Sequence, residues 1–343
     1  MEHKPNKRIE YIDALRGFTM YLVVYSHIWT FGYKTDETHS FENILTNFFL
    51  ILFFFISGFC AYKDNATWTI YNVGKLLRKK FIQLMVPTGV FFAILCYWRD
   101  NSLAEYLKIA TAEYWFTFQL FIFFFFYYAT MLVLHKSGSI QQSISLLIIA
   151  FLIYLISFSH VLIESTELGA NVFHYLGMGN WREYMFFTFG VLARKLFEIF
   201  KNITENAYIM AGFILLFFFL VFCADKIGFP LWKPIRMLLY GSVSIVVIFT
   251  FFRKYEPSFS SEHTFGCKVQ YVGKRTLDIY MIHYFFLPRN LDFLGKFFVD
   301  YSNPSLEFFV TTILSIIIIW ISLVVGNTVR LSPKLAHYIL GDK

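Results

Sequence analysis

The chain has 343 residues, of which 57% are hydrophobic and only 15% are charged, with a formal net charge of +7. A soluble domain has about a quarter of its residues charged, because its surface faces water, so this composition excludes a soluble protein. The positive residues form short clusters between apolar runs, which is typical of cytoplasmic loops and argues against a nucleic-acid partner. The four cysteines are scattered without the spacing of a metal site, and no bound cofactor or metal is expected.

Ten apolar runs predict membrane-spanning helices, since a helix needs about 20 residues to cross the hydrocarbon core. The fifth and the ninth are short, and the ninth is expected to begin near Tyr271 or to have a polar cytoplasmic end. In chain order the runs are 15–31, 44–62, 81–97, 115–134, 143–156, 184–200, 208–224, 235–252, 277–287 and 308–325.

The distribution of Lys and Arg supports this count. With a cytoplasmic N-terminus, 21 of the 30 Lys and Arg residues fall in inner segments, as the positive-inside rule requires. The sequence therefore predicts an all-α polytopic bundle of about ten transmembrane helices with both termini in the cytoplasm, although one missed pair of helices would preserve the alternation. The longest predicted loops, 157–183 outside and 253–276 inside, are too short for a soluble domain, so residues 1–343 are expected to form a single domain.

The first predicted helix carries ionisable residues at positions where lipid makes them costly. Arg16 lies at its cytoplasmic end and His27 lies eleven residues further on. Eleven residues return to within about 20° of the starting direction, so both side chains share one face, about 16 Å apart along the axis. Asp13 is three residues before Arg16 and can pair with its guanidinium. Two interpretations stay open: an interfacial arginine with a packed histidine, or a site in which the histidine moves a proton.

The same segment resembles the acyltransferase-3 family of membrane enzymes. On the first helix, the Arg of an Asp-x-Leu-Arg-Gly segment is separated by ten residues from a His. Further similarities come in the family's order along nearly the whole chain: Phe53–Phe59 with its Ser-Gly pair, the basic stretch Arg78–Pro87, Tyr114–Phe116, Phe186–Gly190, and the Gly…Tyr-x-x-His segment Val272–His283. One departure is the pair of arginines that many members have before the third helix, where this chain has Lys80 and Gln83.

The resemblance implies transfer of an acyl group, usually acetyl from acetyl-CoA, to a sugar hydroxyl of a cell-envelope or exported glycan. By position, His27 is expected to be the catalytic histidine and Arg16 its required arginine. His27 would act as general base on the acceptor hydroxyl, with a covalent acyl-histidine as the alternative. The expected location is the inner membrane of a bacterium, with lipid, the acyl-CoA co-substrate and a glycan as partners.

A phosphate-bearing donor would arrive from the cytoplasm, where cations can bind it. Arg16 is therefore a candidate for donor binding, together with a basic cluster that could equally serve only to set topology: Lys75, Arg78, Lys79 and Lys80. Possible cavity-lining residues, each of which could instead make an ordinary interhelical or interfacial contact, are Asp13, Tyr280, His283, Trp115 and Gln119.

The rival interpretation is a transporter or exporter of a glycan or its precursor. Such proteins often show repeats and helices broken at a central Gly or Pro. The sequence has no repeat, and its prolines lie near predicted helix ends, which favours the enzyme. The identity of the acyl group and the acceptor, the face at which transfer occurs and the oligomeric state are not encoded in any recognisable motif.

Overall fold

The computed structural model describes residues 8–34, 40–64, 66–99, 113–158, 177–223, 232–301 and 303–341. Within these ranges the chain is helical and contains no β-strand. The described α-helices are α1 (Glu10–His27), α2 (Ser40–Ala61), α3 (Ile70–Lys80), α4 (Val86–Trp98), α5 (Trp115–Val133), α6 (Ser139–Phe158), α7 (Tyr184–Lys195), α8 (Phe197–Glu205), α9 (Ala207–Phe222), α10 (Trp232–Lys254), α11 (Thr264–Lys274), α12 (Thr276–Ile282), α13 (Asp292–Tyr301), α14 (Pro304–Val329) and α15 (Pro333–Leu340).

The helices belong to two compact units. Unit 1 comprises residues 1–53 and 202–325, and unit 2 comprises residues 54–201 and 326–343. Unit 1 therefore holds α1 and the helices from α9 to most of α14, whereas unit 2 holds α3 to α7 and α15. The single domain expected over residues 1–343 stays a prediction, because the chain divides in this way.

Five helical segments in the described ranges are long and apolar enough to cross a membrane. They are Ile70–Trp98, Trp115–Val133, Ser139–Phe158, Pro234–Lys254 and Pro304–Val329, and a sixth span would arise if α8 and α9, which meet at 82°, form one broken crossing. The ten predicted runs all contain helix. The number of ten crossings and the cytoplasmic termini stay predictions.

Two predicted boundaries are corrected by the structure. The third run was predicted to begin at residue 81, but the helix begins at Ile70, since α3 continues through a π-helical segment, Phe81–Met85, into α4. The wider π-helical turn ends two residues before Pro87, and it accommodates a residue that has no N–H to donate. The sixth run is interrupted at Leu196, where α7 ends before α8 begins.

The predicted inner loop 253–276 is largely helix, since α11 fills its second half. Three buried residues face the rest of unit 1 from this helix, namely Gly266, Gln270 and Gly273. Polar side chains interrupt its apolar face, which is why hydropathy alone did not predict it.

In unit 1, α11 lies against α1 at a glycine contact. A Cβ on Gly273 would lie 1.7 Å from the carbonyl oxygen of Asp13, and a Cβ on Gly17 would lie 2.1 Å from the carbonyl oxygen of Val269. Only glycine on both helices permits this approach, because real Cβ atoms do not come so close to backbone. The contact fixes how far α11 can slide along α1.

A second glycine contact holds α2 against α7 within unit 2. A Cβ on Gly58 would lie 1.9 Å from the carbonyl oxygen of Phe187, and one on Gly190 would lie 2.0 Å from that of Phe55. Small residues allow the backbones of helices in lipid to pack closely. The Ser-Gly and Phe-Gly motifs in the sequence thus serve helix packing here.

Candidate active site

A pair of histidines lies in unit 1 between α1 and the segment that follows α12. His27 is the last residue of α1, and His283 begins the 3₁₀ turn His283–Phe285. The Nδ1 atom of His27 lies 2.8 Å from the Nε2 atom of His283, and the two rings are nearly parallel. His283 is fully buried, whereas His27 is partly exposed. Of the two histidines, His27 is therefore the one that a substrate can approach.

The hydrogen bonds of His283 determine the proton positions in this histidine pair. Its Nδ1 lies 2.9 Å from the carbonyl oxygen of Ile279. A carbonyl only accepts, so Nδ1 of His283 must donate, and in the neutral ring Nε2 is then an acceptor. The Nδ1–H of His27 donates to it. The Nε2 atom of His27 is left with a lone pair, which is the state that a general base needs.

Aromatic rings surround the histidine pair. The ring of Tyr284 lies 5.1 Å from that of His27 and 4.1 Å from that of His283, and the Tyr280 ring lies 5.9 Å from His283. Phe31 packs edge-on against His27 at 5.6 Å. These contacts hold both imidazoles in place. Immediately after His27 the backbone continues as a π-helical segment, Ile28–Tyr33, a conformation that is frequent at functional sites.

Asp13 and Arg16 lie together near the start of α1. The Arg16 guanidinium is 3.7 Å from the Asp13 carboxylate, which is buried, and Arg8 donates to the same carboxylate through two N–H groups. Because α1 is unbroken from Glu10 to His27, Arg16 and His27 occupy one side of the helix about 16 Å apart along its axis.

The other candidate residues lie in unit 2. On α3, Lys75, Arg78 and Lys79 are exposed, whereas the Nζ atom of Lys80 lies 3.8 Å above the centre of the Phe124 ring. Trp115 begins α5, and Gln119 is fully buried one turn later. The amide of Gln119 makes no hydrogen bond to any described residue. A joint role of these residues with Arg16 and His27 stays a prediction.

Glu183, which ends the 3₁₀ turn Met178–Glu183 before α7, is a buried carboxyl group that the sequence did not single out. Its Oε1 lies 3.3 Å from Nε of Arg182, and Oε2 has no hydrogen-bond partner among the described residues. Burial raises the pKa of Glu183 to about 7, although Arg182 opposes the shift. In the sequence, the only feature that marks Glu183 is its position directly before an apolar run.

This pKa predicts a pH-dependent stability. Between the ordinary value of 4.5 and about 7, the folded protein keeps a proton that the unfolded chain has lost. The free energy of unfolding should therefore fall as pH rises through this window and level off above it. We expect Glu183→Gln to show a smaller decrease in thermal midpoint between pH 5 and pH 8, measured in detergent. Glu198→Gln, on an exposed side chain, is the control, and an unchanged slope in the Glu183 variant would contradict the prediction.

The fold and the site define the class of protein: a helical membrane protein in which a histidine pair at the end of the first helix can accept a proton on Nε2 of His27. The model of the acyltransferase-3 family, described as an acyltransferase domain, matches residues 9–324. No curated protein and no solved structure matches the chain. The match covers nearly the whole sequence, so the chain belongs to the acyltransferase-3 family of membrane acyltransferases. Together with its apolar helices, this makes it a multi-pass membrane protein.

Proposed function

We propose that this protein transfers an acyl group, most simply acetyl from acetyl-CoA, to a hydroxyl group of a cell-envelope or exported polysaccharide in a bacterial inner membrane. The observation that carries the proposal is the hydrogen bond from His27 to His283, which leaves Nε2 of the more exposed ring as a base.

The reaction needs one proton to be moved twice. Nε2 of His27 takes the proton of the acceptor hydroxyl while its oxygen attacks the thioester carbonyl. The tetrahedral intermediate then collapses, the bond from carbon to sulfur breaks, and the CoA thiolate takes the proton back from Nε2. An ester and free CoA are formed, and His27 returns to its neutral state.

His283 has a positioning role in this scheme. When His27 carries the extra proton, its Nδ1–H still donates to Nε2 of His283, which disperses the charge and prevents the ring from turning. The carbonyl of Ile279 holds His283 in the required tautomer. The arrangement resembles the hydrogen-bonded partner that orients a catalytic histidine in hydrolases, with a neutral imidazole in place of a carboxylate.

A direct test uses purified protein in detergent or nanodiscs with acetyl-CoA and a glycan extract. Release of free CoA thiol, together with a mass increase of the glycan by the acyl group, would support the proposal. An Arg16→Ala variant should lose transfer. Mass spectrometry of surface glycans from a deletion strain would identify the acyl group and its carrier. An intact thioester and an unmodified glycan would favour the rival function, a glycan transporter.

Replacing His283 tests its positioning role. We expect His283→Ala to lower kcat by about 10- to 100-fold, the range found for outer partners that orient metal-bound histidines. His283→Gln should recover part of the loss, because its side-chain oxygen can accept from His27 where Nε2 did. A purely structural role would instead lower the thermal midpoint of both variants and leave the kcat of the surviving folded protein unchanged.

A further inference from the structure

Arg275 lies at the junction of α11 and α12, two residues after Gly273. Its guanidinium is 3.8 Å from the carboxylate of Asp278 and lies over the ring of Tyr271, 6.0 Å from the ring centre. Asp278 is buried, with 2% of its surface exposed. Arg275 is thus held at one place by groups on its own segment.

Arg16 makes a similar ion pair on α1. It lies one residue before Gly17, and its guanidinium is 3.7 Å from the buried carboxylate of Asp13. The side chains of Arg16 and Arg275 are each 29% exposed. A Cβ on Gly17 would be only 3.2 Å from the backbone nitrogen of Gly273, so Arg16 and Arg275 lie one and two residues from this backbone contact. Side chains as long as arginine can reach one ligand from these positions.

The ion pair with Asp278 orients Arg275 without saturating its guanidinium. At 3.8 Å, the pair of Arg275 with Asp278 is longer than a hydrogen bond. Within the described ranges the guanidinium N–H groups of Arg275 make no hydrogen bond, whereas its backbone N–H donates to the carbonyl of Val272. A guanidinium presents five N–H groups in a planar fork that matches phosphate oxygens. Arg8 adds positive charge beside the Asp13 carboxylate. In contrast, Lys75 and Arg78 of α3 are exposed, and no carboxylate among the described residues orients them.

We propose that Arg16 and Arg275 together bind the phosphate groups of the acyl-CoA donor, an inference that rests on the acyltransferase function proposed above. Arg275 precedes His283 by eight residues and Arg16 precedes His27 by eleven, so the histidine pair lies about 12–16 Å further along the helices. The extended pantetheine arm of the donor would bridge this interval and place the thioester beside Nε2 of His27. Arg275 is thereby assigned a substrate-binding role.

The test compares two donors on the full-length protein: acetyl-CoA and S-acetyl-N-acetylcysteamine, a thioester without phosphates. We expect Arg275→Gln to raise the KM for acetyl-CoA at least about tenfold, as loss of a hydrogen bond to a charged group does, and to leave the KM for the phosphate-free donor unchanged. Lys268→Gln, which removes one charge from an exposed position on α11, is the matched control. Arg275→Lys keeps the charge without the fork and should give an intermediate increase for acetyl-CoA alone.

Equal changes in KM for both donors, or none for acetyl-CoA, would overturn the proposal. Calorimetric measurement of CoA binding and of pantetheine binding tests the phosphate site independently of the acyl transfer, because it needs no turnover. If the wild-type protein binds CoA more tightly than pantetheine, and Arg275→Gln removes that difference while Arg275→Lys reduces it, the site stands even where no glycan is acylated. Equal affinity of the wild-type protein for CoA and pantetheine would reject the site and leave the proposed function to its own assay.

Discussion

Replacing His27 with alanine should lower the rate of acyl transfer by about 10²- to 10⁴-fold, the contribution of a positioned general base. The reason is that Nε2 of His27 is the ring nitrogen of the histidine pair that can accept the acceptor's proton, since Nδ1 donates to His283. The measurement is CoA release and ester formation by purified protein, with the KM for acetyl-CoA determined in parallel.

The expected loss is in kcat, because the base acts on the acceptor and not on the phosphates of the donor. His135→Ala is the control, since this histidine is exposed on unit 2 and its ring hydrogen-bonds the carbonyl of Leu132 on its own segment. Wild-type turnover in a folded His27→Ala protein would remove this residue from the mechanism. A fall in the thermal midpoint without a fall in kcat would assign it a structural role.

Replacing Gly273 with valine should prevent unit 1 from folding. The first side-chain carbon would lie 1.7 Å from the carbonyl oxygen of Asp13, and that oxygen is backbone within α1. Overpacking against side chains that can move lowers the free energy of unfolding by about 1–3 kcal/mol. Helix backbone moves less easily than a side chain, so we expect the loss for Gly273→Val to lie at or above the upper end of this range. The expected result is little monodisperse protein after detergent extraction.

Gly212→Val is the matched control, because Gly212 lies on α9 of the same unit with no atom within 4 Å of the added Cβ. That variant should extract and unfold like the wild-type protein. A Gly273→Val protein with a wild-type thermal midpoint would show that α11 can move away from α1 at no cost.

Local features of this protein could be predicted from the sequence. The run 115–134 corresponds to α5 at Trp115–Val133, because its apolar residues have a single interpretation in lipid. The pairing of Asp13 with Arg16 follows from three-residue spacing on one helix. In both cases all the information lies within a few turns of the chain.

Contacts between distant segments could not be predicted in this way. His27 and His283 were both candidates, yet their hydrogen bond depends on how α1 and α11 pack, which spacing along one helix does not contain. The helix α11 itself was missed because Lys268, Gln270 and Lys274 interrupt its apolar pattern. The burial of Glu183 and the position of Arg275 beside the contact of α11 with α1 depend on tertiary packing, whereas the ion pair of Arg275 with Asp278 is local.

The glycine contact and the histidine pair have the same register, since Gly273 follows Gly17 and His283 follows His27 by 256 positions. The two segments therefore have matched spacing: each places its histidine ten residues after its glycine, so the two imidazoles lie side by side when the glycines are in contact. Insertion of one residue in either length would rotate its histidine by about 100° and move it by about 1.5 Å. In homologous chains that use the same pair, the interval from glycine to histidine should keep its length.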